Sequence, residues 1–201
     1  MKINYQIETD KILNTINGTC VPTLLLHSCC APCSSYVIEY LSAYFDITVF
    51  YYNPNIETDD EFNKRAAEQV RFIQDFSTKN KVKYVIAEYN PKEFYENVKG
   101  FENEPEGGKR CRECFKLRLE KTAEYARKNS FDYFTTTLTI SPLKNSQLIN
   151  EIGKDLAEKY NIKYLYSDFK KKSGYLRSCQ LSREYDLYRQ NFCGCIFSKN
   201  S

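Results

Sequence analysis

The chain has 201 residues, of which 42% are hydrophobic and 15% aromatic, so it can bury a sizeable core and is too apolar to be mainly disordered. Its 29 basic and 26 acidic residues give a net charge of +3, which excludes a surface that is basic throughout. No stretch approaches the roughly 20 apolar residues of a membrane span, and the first ten residues lack the apolar core of a signal peptide. We therefore expect a cytoplasmic protein.

Apolar and amphipathic segments alternate along the chain. After a polar leader of about residues 1–20, the pattern predicts strands at residues 23–26, 47–52, 82–87, 133–138 and 163–166. It predicts helices at residues 36–44, 59–78, 91–98, 113–128, 146–160 and 182–191, and a tail from about residue 190. Alternating strands and helices without repeats indicate one α/β domain with a parallel sheet, in which sites lie beyond the carboxyl ends of the strands.

Nine cysteines are many for a cytosolic protein, and an odd number does not suit a secreted disulfide framework. Seven of them form three groups: Cys29, Cys30 and Cys33; Cys111 and Cys114; Cys193 and Cys195. In a reducing compartment, metal binding or thiol chemistry is the better interpretation. Cys20 and Cys179 have no sequence neighbours of this kind, and we interpret them as structural.

The first group lies at a predicted strand-to-helix turn, where the amides at the start of the helix favour thiolates, so it fits a metal site or a reactive thiol. The alternative is that these cysteines are simply buried in the core. The second opens a helix after a Gly-rich loop and fits zinc, an iron-sulfur cluster or a redox dithiol. The third group adds two more possible sulfur ligands, and the alternative is that it belongs to a frayed tail at the surface. Seven thiols exceed one tetrahedral ion, and His27 is the only histidine, so thiolate-ligated iron is favoured over zinc. His27 lies beside the first cysteine group, so it could bind the metal, orient another group or donate a proton. The alternative is that it is a structural histidine.

Six motifs occur between residues 23 and 198, and in their order and spacing they resemble the epoxyqueuosine reductase QueH family. They are His27-x-Cys29-Cys30-Ala31-Pro32-Cys33, Tyr51-Tyr52-Asn53-Pro54-Asn55-Ile56, Cys111-x-x-Cys114-Phe115, Thr135-Thr136-Thr137-Leu138-x-Ile140-Ser141-Pro142, Asp168-Phe169-Lys170-Lys171 and Tyr188-Arg189-Gln190-x-Phe192-Cys193-Gly194-Cys195. The resemblance implies reduction of epoxyqueuosine to queuosine at the wobble position of tRNA. It also implies a Rossmann-like fold of the HUP, or adenine nucleotide alpha hydrolase-like, type, with helices flanking a parallel sheet and the metal site at the carboxyl ends of the strands.

The same resemblance implies a 4Fe-4S cluster beside a mononuclear iron. Cys29, Cys30, Cys111 and Cys114 would chiefly serve the cluster, while Cys33, Cys193 and Cys195 would complete it or hold the single iron. Turning an epoxide into an alkene needs a Lewis acid, two electrons and two protons. We expect an electron donor such as a ferredoxin or flavodoxin, and the candidate proton donors are Tyr52, Asp168, Tyr175 and water.

Two basic runs are candidates for phosphate contacts with the tRNA, or else are solvated helix faces. They are Lys109, Arg110, Arg112, Lys116, Arg118 and Lys121, and then Lys170, Lys171, Lys172 and Arg177. Three aromatic residues, Tyr51, Tyr52 and Phe169, are candidates to stack on the wobble base, or else belong to the core.

Two other functions compete with the reductase. A tRNA thiolation enzyme shares the scaffold, but it binds ATP through a Ser-Gly-Gly-x-Asp-Ser loop after the first strand, and residues 27–35 contain no glycine. A zinc-stabilised RNA-binding module is the second alternative, and metal content distinguishes it from the reductase.

Overall fold

Five parallel strands form one sheet in the order β3-β2-β1-β4-β5. In the computed structural model, which describes residues 3–16, 20–190 and 192–198, the strands are β1 Thr23–His27, β2 Asp46–Tyr51, β3 Val82–Ile86, β4 Tyr133–Thr136 and β5 Lys163–Tyr164. The chain winds outward from β1 to β3, then returns to place β4 on the other side of β1. The α/β, Rossmann-like prediction is confirmed, and the winding direction reverses between β1 and β4.

Helices cover both faces of this sheet. They are α1 Tyr5–Thr15, α2 Ala31–Leu41, α3 Asp59–Asp75, α4 Pro91–Asn97, α5 Lys109–Lys128, α6 Ser146–Tyr160 and α7 Gly174–Glu184, with short 3-10 turns at Thr137–Ile140 and Ile196–Ser198. Successive side chains of β1 enter different cores: Leu24 and Leu26 pack with α1, α2 and α3, and Leu25 packs with α5 and α6. Among the described residues, no helix is both long and apolar enough to cross a membrane.

The polar leader contains a helix, α1, which the sequence pattern does not predict. Its buried side chains include the polar Gln6 and Thr9, so its apolar stripe is weak. Tertiary contacts hold it instead: the Thr9 hydroxyl donates to the Tyr166 carbonyl (2.7 Å), and the Tyr5 ring stacks on that of Tyr166.

The helix predicted at residues 182–191 is wrong, because the last α-helix ends at Glu184 and the described residues beyond it up to 190 are not helical. Residue 191 lies outside the described residues. Side chains of α3 bind the backbone groups that a longer helix would use. Arg71 donates to the carbonyls of Tyr185 (2.9 Å) and Asp186 (3.2 Å), and Glu68 accepts from the amide of Tyr188 (2.6 Å).

A close approach of α7 to α2 generates the first prediction. A Cβ at Gly174 would lie 2.0 Å from the Phe169 carbonyl oxygen and 2.3 Å from the Tyr36 ring. Because a carbonyl oxygen of the backbone cannot rotate away, we expect Gly174→Ala to lower the free energy of unfolding by about 1–3 kcal/mol. Denaturant titration measures this free energy of unfolding, and Leu176→Ala, at an exposed position of the same helix, is the control. Equal stability of the two variants would contradict this packing.

Candidate metal centre

The first cysteine group lies where the winding of the sheet reverses. Cys29 and Cys30 follow β1, and Cys33 lies in the first turn of α2 because that helix begins at Ala31. The three sulfurs lie within 4.8 Å of one another, and those of Cys29 and Cys30 are 3.8 Å apart. Two thiolates on one tetrahedral ion, with metal–sulfur bonds of about 2.3 Å, have a separation of about 3.8 Å. This group is therefore spaced to share one metal ion.

The other two groups approach the same place from α5 and from the tail. Cys114 is buried in a small cluster with Cys195, Phe94 and Val98, and Cys193 lines the same cavity as the first group. Burial raises the pKa of Cys114 to about 11, and the nearby Cys193 contributes to that rise. Burial likewise raises the pKa of Cys111, again with a contribution from Cys193. Cysteines from three distant segments thus influence one another's charge.

Three contacts hold the tail against α3 and the segment before it. The amide of Glu57 donates to the Gly194 carbonyl (3.0 Å), and Arg65 Nη1 donates to the Cys193 carbonyl (3.4 Å). Gly194 has φ +106°, and a Cβ there would lie 3.0 Å from the Arg65 guanidinium. The glycine between the two cysteines lets the turn form directly against Arg65.

Two of the thiols are stabilised as thiolates. Hydrogen bonds from the Cys30 and Cys33 thiols lower the pKa of Cys29 well below its ordinary value. A hydrogen bond from Cys195, followed by the charges of Lys144 and Arg118, lowers the pKa of Cys193 to about 5. Thiolates are the form of cysteine that binds soft metal ions.

A fully buried arginine lies beneath these thiols. Arg118 of α5 donates from Nε to His27 Nε2 (3.3 Å), from Nη2 to Asn53 Oδ1 (2.7 Å) and from Nη1 to Cys114 Sγ (3.9 Å). Burial, and then the charge of Arg118, lower the pKa of His27 to about 3, so this histidine is neutral at physiological pH. Its Nδ1 lies 2.8 Å from the Thr136 hydroxyl, so His27 joins the ends of β1 and β4. This position fits its structural interpretation.

The cysteines open into a cavity of about 530 Å³. Its lining includes four cysteines, Cys29, Cys30, Cys33 and Cys193, four cations, Arg65, Arg118, Lys144 and Arg189, and one acid, Glu106. Leu143 and Tyr175 line it too and are 82% and 38% exposed. The cavity combines sulfur ligands with an excess of positive charge, which suits a metal–thiolate centre and an anionic substrate.

The three candidate proton donors lie in different surroundings. Tyr175 lines the cavity, and its phenol oxygen accepts from Arg189 Nη2 (3.1 Å). Tyr52 is buried, and its hydroxyl donates to Glu93 (2.7 Å). Asp168 forms an ion pair with Lys170 (2.6 Å). Neither Tyr52 nor Asp168 is among the residues that line the cavity.

Several predicted RNA contacts are engaged within the fold. Arg110 and Arg118 are buried, Lys121 pairs with Glu93, and most of the second basic run is also ion-paired: Lys170 with Asp168, Lys172 with Asp10, and Arg177 with Glu39 and Glu184. The aromatic residues Tyr51, Tyr52 and Phe169 are buried in the core, which confirms the second of their two alternatives.

The contacts of Arg118 within the fold and the positions of Lys144 and Arg189 in the cavity were not predicted from the sequence. One pattern points to Arg118: it follows Cys114 by four residues, so the two side chains share a face of α5. No comparable pattern marks Lys144 or Arg189, because both reach the cavity from loops.

Comparison with known proteins identifies the family of this chain. The family described as Epoxyqueuosine reductase QueH matches residues 24–201. A protein of that name from Streptococcus pyogenes serotype M1 is 48% identical over 200 residues, covering 98% of this chain and 78% of its own length. Another from Staphylococcus epidermidis is 47% identical over 204 residues, covering 97% of this chain and 86% of its own. A third, from Thermotoga maritima, is 40% identical over 182 residues, covering 88% and 90%. The chain belongs to the epoxyqueuosine reductase QueH family.

Proposed function

We propose that the protein is a cytoplasmic epoxyqueuosine reductase, which converts epoxyqueuosine at the wobble position of tRNA into queuosine. The observation that carries the proposal is the position of Cys29, Cys30, Cys33 and Cys193 in one cation-rich cavity at the reversal point of a parallel sheet. Arg118, which lines the same cavity, donates to the sulfur of Cys114 and so links the second cysteine group to it. The names of its relatives support the same activity.

The ligand set fits thiolate-bound iron. The donors are sulfurs, two of them stabilised as thiolates, and buried cations are present to balance the negative charge of a metal–thiolate centre. Cys29, Cys30, Cys111 and Cys114 would hold a 4Fe-4S cluster, and Cys33, Cys193 and Cys195 would complete it or hold a mononuclear iron. When bound, this centre would supply Lewis acidity and electrons received from a donor such as a ferredoxin or flavodoxin.

Tyr175 is the best placed of the candidate proton donors. Arg189 donates to its phenol oxygen, so the phenol's own O–H remains available to donate to an oxygen of the substrate. The guanidinium is also placed to compensate the negative charge that the phenol oxygen gains as it releases its proton. Tyr175 lines the same cavity as Cys29, Cys30, Cys33 and Cys193, so a substrate in that cavity would have access to its phenol.

Arg189 and Lys144 are the candidate contacts for the phosphates beside the wobble nucleotide. Both line the cavity, and neither has a carboxylate within 4.0 Å among the residues that the structure describes. An unpaired cation can release counterions from RNA, whereas one that already pairs with a carboxylate contributes less.

The activity is tested with tRNA from a strain that accumulates epoxyqueuosine. Anaerobically purified protein, supplied with a reduced flavodoxin, is expected to convert the modified nucleoside to queuosine, as measured by mass spectrometry of digested tRNA. Iron-loaded protein without conversion would overturn the proposal. Zinc without iron would favour the RNA-binding module, and ATP-dependent formation of a thiolated nucleoside would favour a thiolation enzyme.

Replacing a buried cluster cysteine tests the metal assignment. We expect Cys114→Ser to lose the iron-sulfur absorbance together with epoxide reduction, because an alcohol is a poor ligand for iron in place of a thiolate. Iron analysis and visible absorbance of anaerobic protein measure it. Cys20→Ser is the matched control, since Cys20 is exposed and lies in none of the three groups. Turnover by an iron-free Cys114→Ser protein would refute the proposed chemistry.

A pair of tyrosine variants tests the proton donor. Tyr175→Phe is expected to lower kcat by about 10²-fold or more, the usual contribution of a positioned general acid, with unchanged iron content. Tyr52→Phe removes a hydroxyl that already donates to Glu93, and we expect it to keep most of the activity. Single-turnover kinetics of the two variants decide the assignment, and the reverse order would transfer the role to Tyr52.

A further inference from the structure

Arg118 is a buried cation whose partners on the protein are not carboxylates. Its three hydrogen bonds reach His27, Asn53 and Cys114, and within the described ranges no carboxylate oxygen lies within 4.0 Å of it. Its side chain is 1% exposed, so water does not solvate the charge either. A buried charge without a counterion is strongly unfavourable, so a negative group must balance it.

A second buried arginine lines the same cavity but does have a carboxylate partner. Arg65 is 2% exposed, and its Nε donates to the Glu61 carboxylate (2.6 Å), which supplies the counterion. Among the described residues, Arg65 is therefore balanced by an acid of its own helix, whereas Arg118 has no such acid. The charge of Arg118 is left to act on groups inside the cavity.

The sulfurs of three cysteine segments are those groups. Arg118 Nη1 donates directly to Cys114 Sγ (3.9 Å). Arg118 also lines the cavity that Cys29 and Cys193 line. One cation is thus shared by a cysteine from the β1 loop, one from α5 and one from the tail.

Neutral neighbours hold the guanidinium in this position. Asn53 accepts from Arg118 Nη2 and donates from Nδ2 to the Ser28 carbonyl (2.9 Å), which ties the arginine to the loop that carries Cys29. His27 accepts from Arg118 Nε through its Nε2 (3.3 Å), so that nitrogen carries no proton and the imidazole is neutral. Because these partners carry no charge, they orient Arg118 without screening it from the sulfurs.

We propose that Arg118 is a positioning residue that raises the reduction potential of the iron-sulfur centre, through its charge and its hydrogen bond to the Cys114 sulfur. The inference rests on the proposed function, since it requires that these cysteines hold redox-active iron. Accepting an electron makes a thiolate-ligated centre more negative, and a fixed cation with an N–H bond to a ligand sulfur stabilises that state. Arg118 would thereby help the centre to accept electrons from a mild donor.

Redox titration of the iron-loaded protein tests this role. Arg118→Gln removes the charge and keeps a hydrogen-bond donor of shorter reach, and we expect its potential to shift to a more negative value. Arg118→Lys keeps the charge but cannot form all three hydrogen bonds of the guanidinium. Its potential is therefore expected to shift in the same direction by a smaller amount. Lys116→Gln removes an exposed charge from the same helix and should leave the potential unchanged, because solvent screens that charge.

The outcomes separate this inference from the proposed function. Wild-type protein without redox-active iron overturns both. An iron centre whose potential is the same in Arg118→Gln and wild type overturns only the role of Arg118. If Arg118→Gln binds no iron, Arg118→Lys decides: a more negative potential supports the role, and an equal or more positive one overturns it.

Discussion

The site depends on the edge that parallel strands share. The carboxyl ends of all five strands lie at one edge of the sheet. Because the winding reverses between β1 and β4, the loops that follow these two strands run in opposite directions and leave a crevice between them. The β1 loop supplies Cys29 and Cys30, and the β4 loop supplies Lys144. His27 bridges the two strand ends through Thr136, so the floor of the crevice is fixed by a buried hydrogen bond. The remaining cysteines only need to reach this edge from α5 and from the tail.

Charge balance is the second requirement of such a site. Several thiolates repel one another when they are brought together away from water, and buried cations offset that repulsion. Arg118, Arg65 and Lys144 surround the cysteines, and only Arg65 has a carboxylate partner among the described residues. The hydrogen bonds among the cysteines work in the same direction, since a protonated thiol beside a thiolate shares its charge. The fold therefore provides cations and hydrogen bonds that stabilise a negatively charged set of sulfurs.

The same crevice distinguishes this chain from an ATP-dependent enzyme on a related scaffold. A phosphate-binding loop after the first strand needs glycines so that backbone amides can surround the phosphates. Here that position carries thiols, and α2 begins with Ala31 and Pro32, which provide no such loop. The fold is Rossmann-like, but the first loop and the first turn of α2 carry three sulfurs that lie close enough together to hold a metal ion.

From the sequence alone we could predict the positions of the five strands, the bounds of α6, the three cysteine groups and the family, because these depend on local periodicity and on spacing along the chain. The packing of distant segments, in contrast, buries Arg118 among sulfurs and pairs Lys172 with Asp10, although both belong to similar basic runs. It also decided that Tyr175 lines the cavity and Tyr52 does not, and that α3 ends the last helix through Arg71 and Glu68. Composition and periodicity describe one segment at a time, whereas burial, ion pairing and access to a cavity are set by segments that are distant in the chain and meet only in the fold.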